Sequence, residues 1–72
     1  MRVWLLGASD AAAEVSALAA HVGFAVTAVD YDPAYLSEGR FPDAKRILLE
    51  GSNFDGLAHL TPAPADYVCV LT

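Results

Sequence analysis

The chain has 72 residues, 56% of them hydrophobic, and a net charge of -5. This length allows one small domain, and the hydrophobic content excludes a disordered chain. With only four basic residues the sequence argues against a nucleic-acid partner, because that affinity depends mainly on Lys and Arg at phosphates. No apolar run approaches the ~20 residues that span a bilayer, so we expect a cytoplasmic protein without membrane insertion.

The first third of the chain predicts a strand followed by a helix. Val3–Leu6 is an apolar run that stops at Gly7, as in a strand buried on both faces. From Ala11 to Val22 apolar residues recur at helical spacing, which predicts a helix capped at its start by Ser9 or Asp10. The predicted buried face of this helix consists of Val15, Leu18, Ala19 and Val22.

Three more strands are expected further along the chain. They are Phe24–Val29, Arg46–Leu49 and a buried fourth strand, Tyr67–Leu71. Ala34–Ser37 is expected to form a short helical turn and Phe54–Leu60 a weak helix. This alternation predicts an α/β fold, a Rossmann-like parallel sheet of about four strands in the order 3-2-1-4 with flanking helices.

The turn after the first strand resembles a dinucleotide-binding loop that lacks its second glycine. Such a loop reads G-x-G-x-x-G or A, with an acid about 20 residues on for the ribose hydroxyls. The candidate cofactor-binding residues are Gly7, Ala8, Ser9, Asp10, Ala12, Asp30 and Asp32. Ser9 adds a side chain on the pyrophosphate path, and Asp10 adds a negative charge there. We therefore expect at most weak binding of NAD(P) or another adenine nucleotide.

The same loop has a second interpretation that involves no ligand. Ser9 or Asp10 would then only cap the helix, and Asp30 and Asp32 would be turn residues before Pro33.

The sequence offers no catalytic or metal-binding set. His21 and His59 lack Cys or His residues at metal-ligand spacing. Cys69, the single cysteine, lies in an apolar strand and is expected to be a small core residue. We therefore expect no catalysis by the isolated chain and no metal site.

Three short motifs go beyond a general nucleotide-binding pattern: Gly23-Phe24, "RFPDA" at Arg40–Ala44 and "VLT" at Val70–Thr72. With them the chain resembles the Rossmann domain of the xanthine dehydrogenase accessory proteins, the XdhC/CoxI family. The resemblance implies a factor that binds the molybdenum cofactor and assists its sulfuration and insertion into a molybdenum hydroxylase. It also implies that residues 1–72 are one NAD(P)-binding-type domain, a fragment or reduced form of a longer family protein. The family's Gly-Ala-Gly-His loop differs here at Ser9 and Asp10.

Other assignments remain open at this point. "DYDP" at Asp30–Pro33 is similar to the TrkA-type nucleotide-sensing regulatory domains of potassium transport. A part of an NAD(P)-dependent enzyme is a further alternative. "RFPDA" and the lack of a long third helix favour the XdhC/CoxI family.

A four-stranded sheet with so little helix leaves apolar surface uncovered. We therefore expect self-association, as a dimer through the sheet edge or an apolar face.

Overall fold

The computed structural model describes all 72 residues, which form a four-stranded parallel sheet in the order β3-β2-β1-β4. The strands are β1 (Arg2–Leu6), β2 (Ala25–Asp30), β3 (Ala44–Leu48) and β4 (Tyr67–Val70). Helix α1 (Asp10–His21) joins β1 to β2, and a 3₁₀ helix (Asp55–His59) lies between β3 and β4. The predicted α/β class and strand order are confirmed. Neither helix has the length and apolarity needed to cross a bilayer.

Both faces of β1 are buried, as its continuous apolar run predicts. Val3 and Leu5 lie on the face covered by α1, where they pack with Val26 of β2. Trp4 points to the opposite face, which the segment around the 3₁₀ helix covers. The period of two along a strand therefore divides one apolar run between two cores.

The bounds of each predicted strand and helix differ from the observed ones by one or two residues. The largest difference is in β3, which begins at Ala44 and not at the predicted Arg46, because Ala44 already pairs with Val26 of β2. The short helical turn predicted at Ala34–Ser37 is present as a turn in which the N–H groups of Tyr35 and Leu36 both donate to the Asp32 carbonyl at 3.2 Å.

The predicted buried face of α1 is partly wrong. Leu18 is 66% exposed and Val22 63% exposed, whereas Ala12 and Ser16 are buried. The helix contacts the sheet through small residues because these allow its backbone to approach the strands closely. A prediction from helical periodicity gives most weight to bulky apolar residues. It therefore puts the face that contacts the sheet too far around the helix.

The fourth strand is not buried, contrary to the prediction. Val68 is 49% exposed and Val70 69% exposed, and Cys69 is only half-buried. The physical reason is position: β4 pairs with β1 on one side only and is an edge of the sheet. An apolar sequence cannot distinguish an edge strand from a central one.

Asp66 connects the start of β4 to β1. Its Oδ2 accepts the indole N–H of Trp4 at 2.8 Å and the backbone N–H of Ala63 at 2.9 Å, and Arg2 Nε lies 3.3 Å from the carboxylate. These contacts, the Trp4 hydrogen bond first, lower the pKa of Asp66 below its ordinary value of 3.8. Folding therefore favours the charged carboxylate.

We predict that Asp66→Asn lowers the free energy of unfolding at neutral pH. In this variant the free energy of unfolding should also fall less steeply as the pH is lowered. Because the pKa is lower in the folded state, the carboxylate's contribution is present above the unfolded-state pKa, near pH 4, and is lost as pH falls through the folded-state pKa. Thermal unfolding followed by circular dichroism from about pH 7 to pH 2 measures both effects. Asp43→Asn, at an exposed aspartate, is the control and should keep the wild-type profile. An Asp66→Asn profile parallel to that of the wild type would contradict the prediction.

Candidate functional site

A cleft of about 390 Å³ opens at the carboxyl ends of β1, β2 and β4. This volume is in the range of small-molecule sites, and the cleft lies where the strand order reverses between β1 and β4. Its lining includes six of the seven predicted residues, namely Gly7, Ala8, Ser9, Asp10, Asp30 and Asp32. The seventh, Ala12, lies in the core beneath the cleft and is 0% exposed.

Gly7 begins the loop between β1 and α1 and must be glycine for two reasons. Its φ of +111° is a conformation that side chains disfavour. A Cβ at this position would also lie 3.0 Å from the backbone nitrogen of Thr72. The first glycine of the dinucleotide-binding pattern is therefore required here because the backbone at Thr72 passes close to it at the end of the sheet.

Ser9 and Asp10 have different roles at the start of α1. Ser9 is the N-cap, and its side chain accepts the N–H of Ala12 at 3.2 Å. Asp10 is the first residue of the helix, and its exposed carboxylate accepts a hydrogen bond from Arg40 Nη2 at 3.1 Å. The backbone N–H groups of Ser9, Asp10 and Ala11 have no acceptor within the protein. They remain available to an anion at the helix N-terminus.

Asp30 is buried, and its carboxylate is largely occupied by backbone donors. Oδ2 accepts the N–H of Ala8 at 2.7 Å, and Oδ1 accepts those of Tyr31 and Asp32 at 2.7 and 2.9 Å. A carboxylate offers about four acceptor positions, so about one remains, on Oδ2. A ribose could therefore donate one hydroxyl hydrogen bond to this carboxylate but not two.

Asp32 forms the turn that follows β2. Its Oδ1 accepts the N–H of Ala34 at 2.9 Å across Pro33, an arrangement typical of an Asx turn. Its other carboxylate oxygen makes no hydrogen bond within the protein. Asp32 thus combines a turn role with a place in the lining of the cleft.

Six residues that line the cleft were not singled out as site residues from the sequence: Tyr31, Tyr35, Arg40, Phe54, Leu71 and Thr72. Arg40 Nη2 donates to the Ala8 carbonyl at 3.0 Å, and its guanidinium lies 5.6 Å from the ring centre of Tyr35. The rings of Tyr31 and Phe54 meet edge to face at 4.9 Å. The "RFPDA" motif already marked Arg40, but no sequence pattern joins residues 31 and 54.

The strand order and the loop at the switch point define a Rossmann-type domain. The chain belongs to the XdhC Rossmann domain family, which matches residues 3–72. It is similar to a solved structure described as a xanthine dehydrogenase from Bacillus halodurans, with 28% identity and a TM-score of 0.81. That similarity covers 96% of this chain and 21% of the other. No curated protein matches the chain significantly. The resemblance to the XdhC/CoxI family is therefore confirmed.

We predict that Asp30→Asn destabilises the domain by about 1–3 kcal/mol, because the amide cannot accept all three backbone N–H groups and leaves a buried donor unpaired. Urea denaturation measures the change. Asp32→Asn is the matched control, since an amide oxygen can still accept the single N–H of Ala34. Equal losses in the two variants would contradict a structural role for Asp30.

Proposed function

We propose that this chain is a non-catalytic accessory domain that associates with a molybdenum hydroxylase during its maturation. Membership of the XdhC Rossmann domain family over residues 3–72 carries the proposal. The similar structure is described as a xanthine dehydrogenase, which supports the same assignment. This chain spans about a fifth of that protein's length, so activities of the longer protein are not transferred to these residues.

The cleft suits a ligand that combines a phosphate with a flat heteroaromatic ring. Three free backbone N–H groups at the start of α1 and the cation Arg40 favour an anion. The rings of Tyr31, Tyr35 and Phe54 offer apolar surface to a planar group. An adenine nucleotide and the pterin phosphate of the molybdenum cofactor share these two parts, so both fit the residues present. The molybdenum cofactor, when bound, supplies the metal centre that the hydroxylase requires.

Binding to this cleft is proposed to be weak. Ser9 places a side chain where a glycine would let a pyrophosphate approach the backbone. Asp10 adds a carboxylate at the same helix end, where it repels a phosphate and already engages Arg40. A loss of one to two decades in affinity relative to an intact glycine-rich loop is the expected order of magnitude.

We predict that NAD or ATP at micromolar concentration leaves the melting temperature of the wild type unchanged. Ser9→Gly with Asp10→His should give a ligand-induced rise of several degrees, because ligand at ~100 times its Kd adds about 2.7 kcal/mol to so small a domain. The double variant remains folded, since glycine at an N-cap costs only a few tenths of a kcal/mol.

Asp30→Ala in that background should abolish the rise, measured against the variant's own melting temperature so that lost stability is not mistaken for lost binding. A rise in the wild type at micromolar nucleotide would show that the loop works despite Ser9 and Asp10, and would contradict this part of the proposal.

A second prediction concerns partners. The exposed apolar residues of β4 should drive self-association of the isolated chain to a dimer. A molybdenum hydroxylase added to the chain should form a complex with the chain. Light scattering after gel filtration measures both species. Val70→Glu at the sheet edge should shift the dimer towards monomer, while Leu18→Glu on the outer side of α1 is the matched control. A stable wild-type monomer at high micromolar concentration would contradict self-association. Absence of the complex would contradict the accessory role.

A further inference from the structure

An ion pair spans the mouth of the cleft. Arg40 Nη2 lies 3.1 Å from Asp10 Oδ1, and both residues line the cleft beside the free N–H groups of α1. The two partners differ in exposure: the Asp10 side chain is fully exposed, whereas that of Arg40 is 28% exposed. The guanidinium of Arg40 is therefore part of the wall of the cleft, whereas the carboxylate of Asp10 is surrounded by solvent.

Contacts other than Asp10 hold Arg40 in place. The same Nη2 donates to the Ala8 carbonyl at 3.0 Å, and Ala8 is buried and held by the hydrogen bond from its N–H to Asp30 Oδ2. The guanidinium lies 5.6 Å from the ring centre of Tyr35 and 5.9 Å from that of Phe41, a fully buried residue. Loss of Asp10 would leave this arrangement intact. The cleft thus contains a cation that is already ordered before any ligand binds.

Arg40 also has unused capacity for hydrogen bonds. The guanidinium group carries five N–H donors, and all hydrogen bonds from this side chain to the protein come from Nη2. Nη1 makes no hydrogen bond to the protein, and Nε is buried without a partner. The charge of Arg40 is therefore only partly satisfied by an exposed carboxylate whose attraction is weakened by water and salt.

We propose that Arg40 is the anion-binding residue of the cleft and that Asp10 occupies it as an internal anion which a phosphate or pyrophosphate group must displace. This inference rests on the proposed function, because it assigns the phosphate subsite of the same cleft. Exchange is feasible since a surface ion pair holds its partners weakly. Asp10 thereby restrains binding in the free protein, and its neutralisation should open the subsite.

Isothermal titration with inorganic pyrophosphate at low ionic strength tests this exchange. Asp10→Asn keeps the size of the side chain and removes its charge, and it should bind pyrophosphate about tenfold more tightly than the wild type. The gain should shrink as sodium chloride is added. Adding Arg40→Gln should abolish the gain, whereas adding Arg40→Lys, which keeps the charge, should retain part of it. Circular dichroism establishes that each variant is folded.

Asp43→Asn is the matched control, because it makes the same change in net charge at an exposed aspartate that precedes the amino end of β3 and does not line the cleft. Its affinity should equal that of the wild type. Three results would each overturn the inference: an equal gain in Asp43→Asn, a gain that survives Arg40→Gln, or no pyrophosphate binding by Asp10→Asn.

Parallel titrations with ADP separate this inference from the proposed nucleotide cleft. ADP that binds Asp10→Asn no more tightly than pyrophosphate would contradict a subsite for the adenine ring and leave the Arg40 exchange standing. ADP that binds the wild type, Asp10→Asn and Arg40→Gln equally would support the cleft and overturn the exchange.

Discussion

The carboxylate of Asp30 holds together the chain segments that make the cleft. It binds the backbone N–H of Ala8 after β1 and those of Tyr31 and Asp32 after β2, at distances from 2.7 to 2.9 Å. Backbone donors at the ends of parallel strands have no ladder partner, and leaving them unpaired in a buried place would cost free energy. One side chain satisfies three of them at once. The position of the loop, and with it the start of α1, follows from this contact.

The same loop explains why the cleft combines features for and against an anion. The start of α1 and Arg40 favour a phosphate, while Asp10 opposes it from the first turn of the helix. Ser9 caps the helix with its own side chain, so α1 needs no ligand to satisfy the N–H of Ala12. The loop is therefore complete as a structural element, and a ligand would add to it without being required for folding.

The edge of the sheet sets a different constraint. Strand β4 contributes apolar residues that a central strand would bury, and here Val70 is 69% exposed. Asp66 secures the start of this strand through Trp4 and Arg2, but nothing covers its outer side. Exposed apolar strands of this kind are surfaces for association. The proposed partners of this domain are consistent with that surface.

The sequence by itself determined the α/β class, the strand order and the family, because these depend on local periodicity, on glycine and proline positions and on short motifs. It also selected the loop, since Gly7 and Asp30 stand at fixed places relative to the strands. Only the tertiary structure decided that Leu18 and Val70 are exposed and that Arg40 belongs to the cleft. Burial depends on which neighbours the whole chain supplies, and the contact of Arg40 with Asp10 joins residues 30 positions apart. Such contacts leave no periodic trace in the sequence.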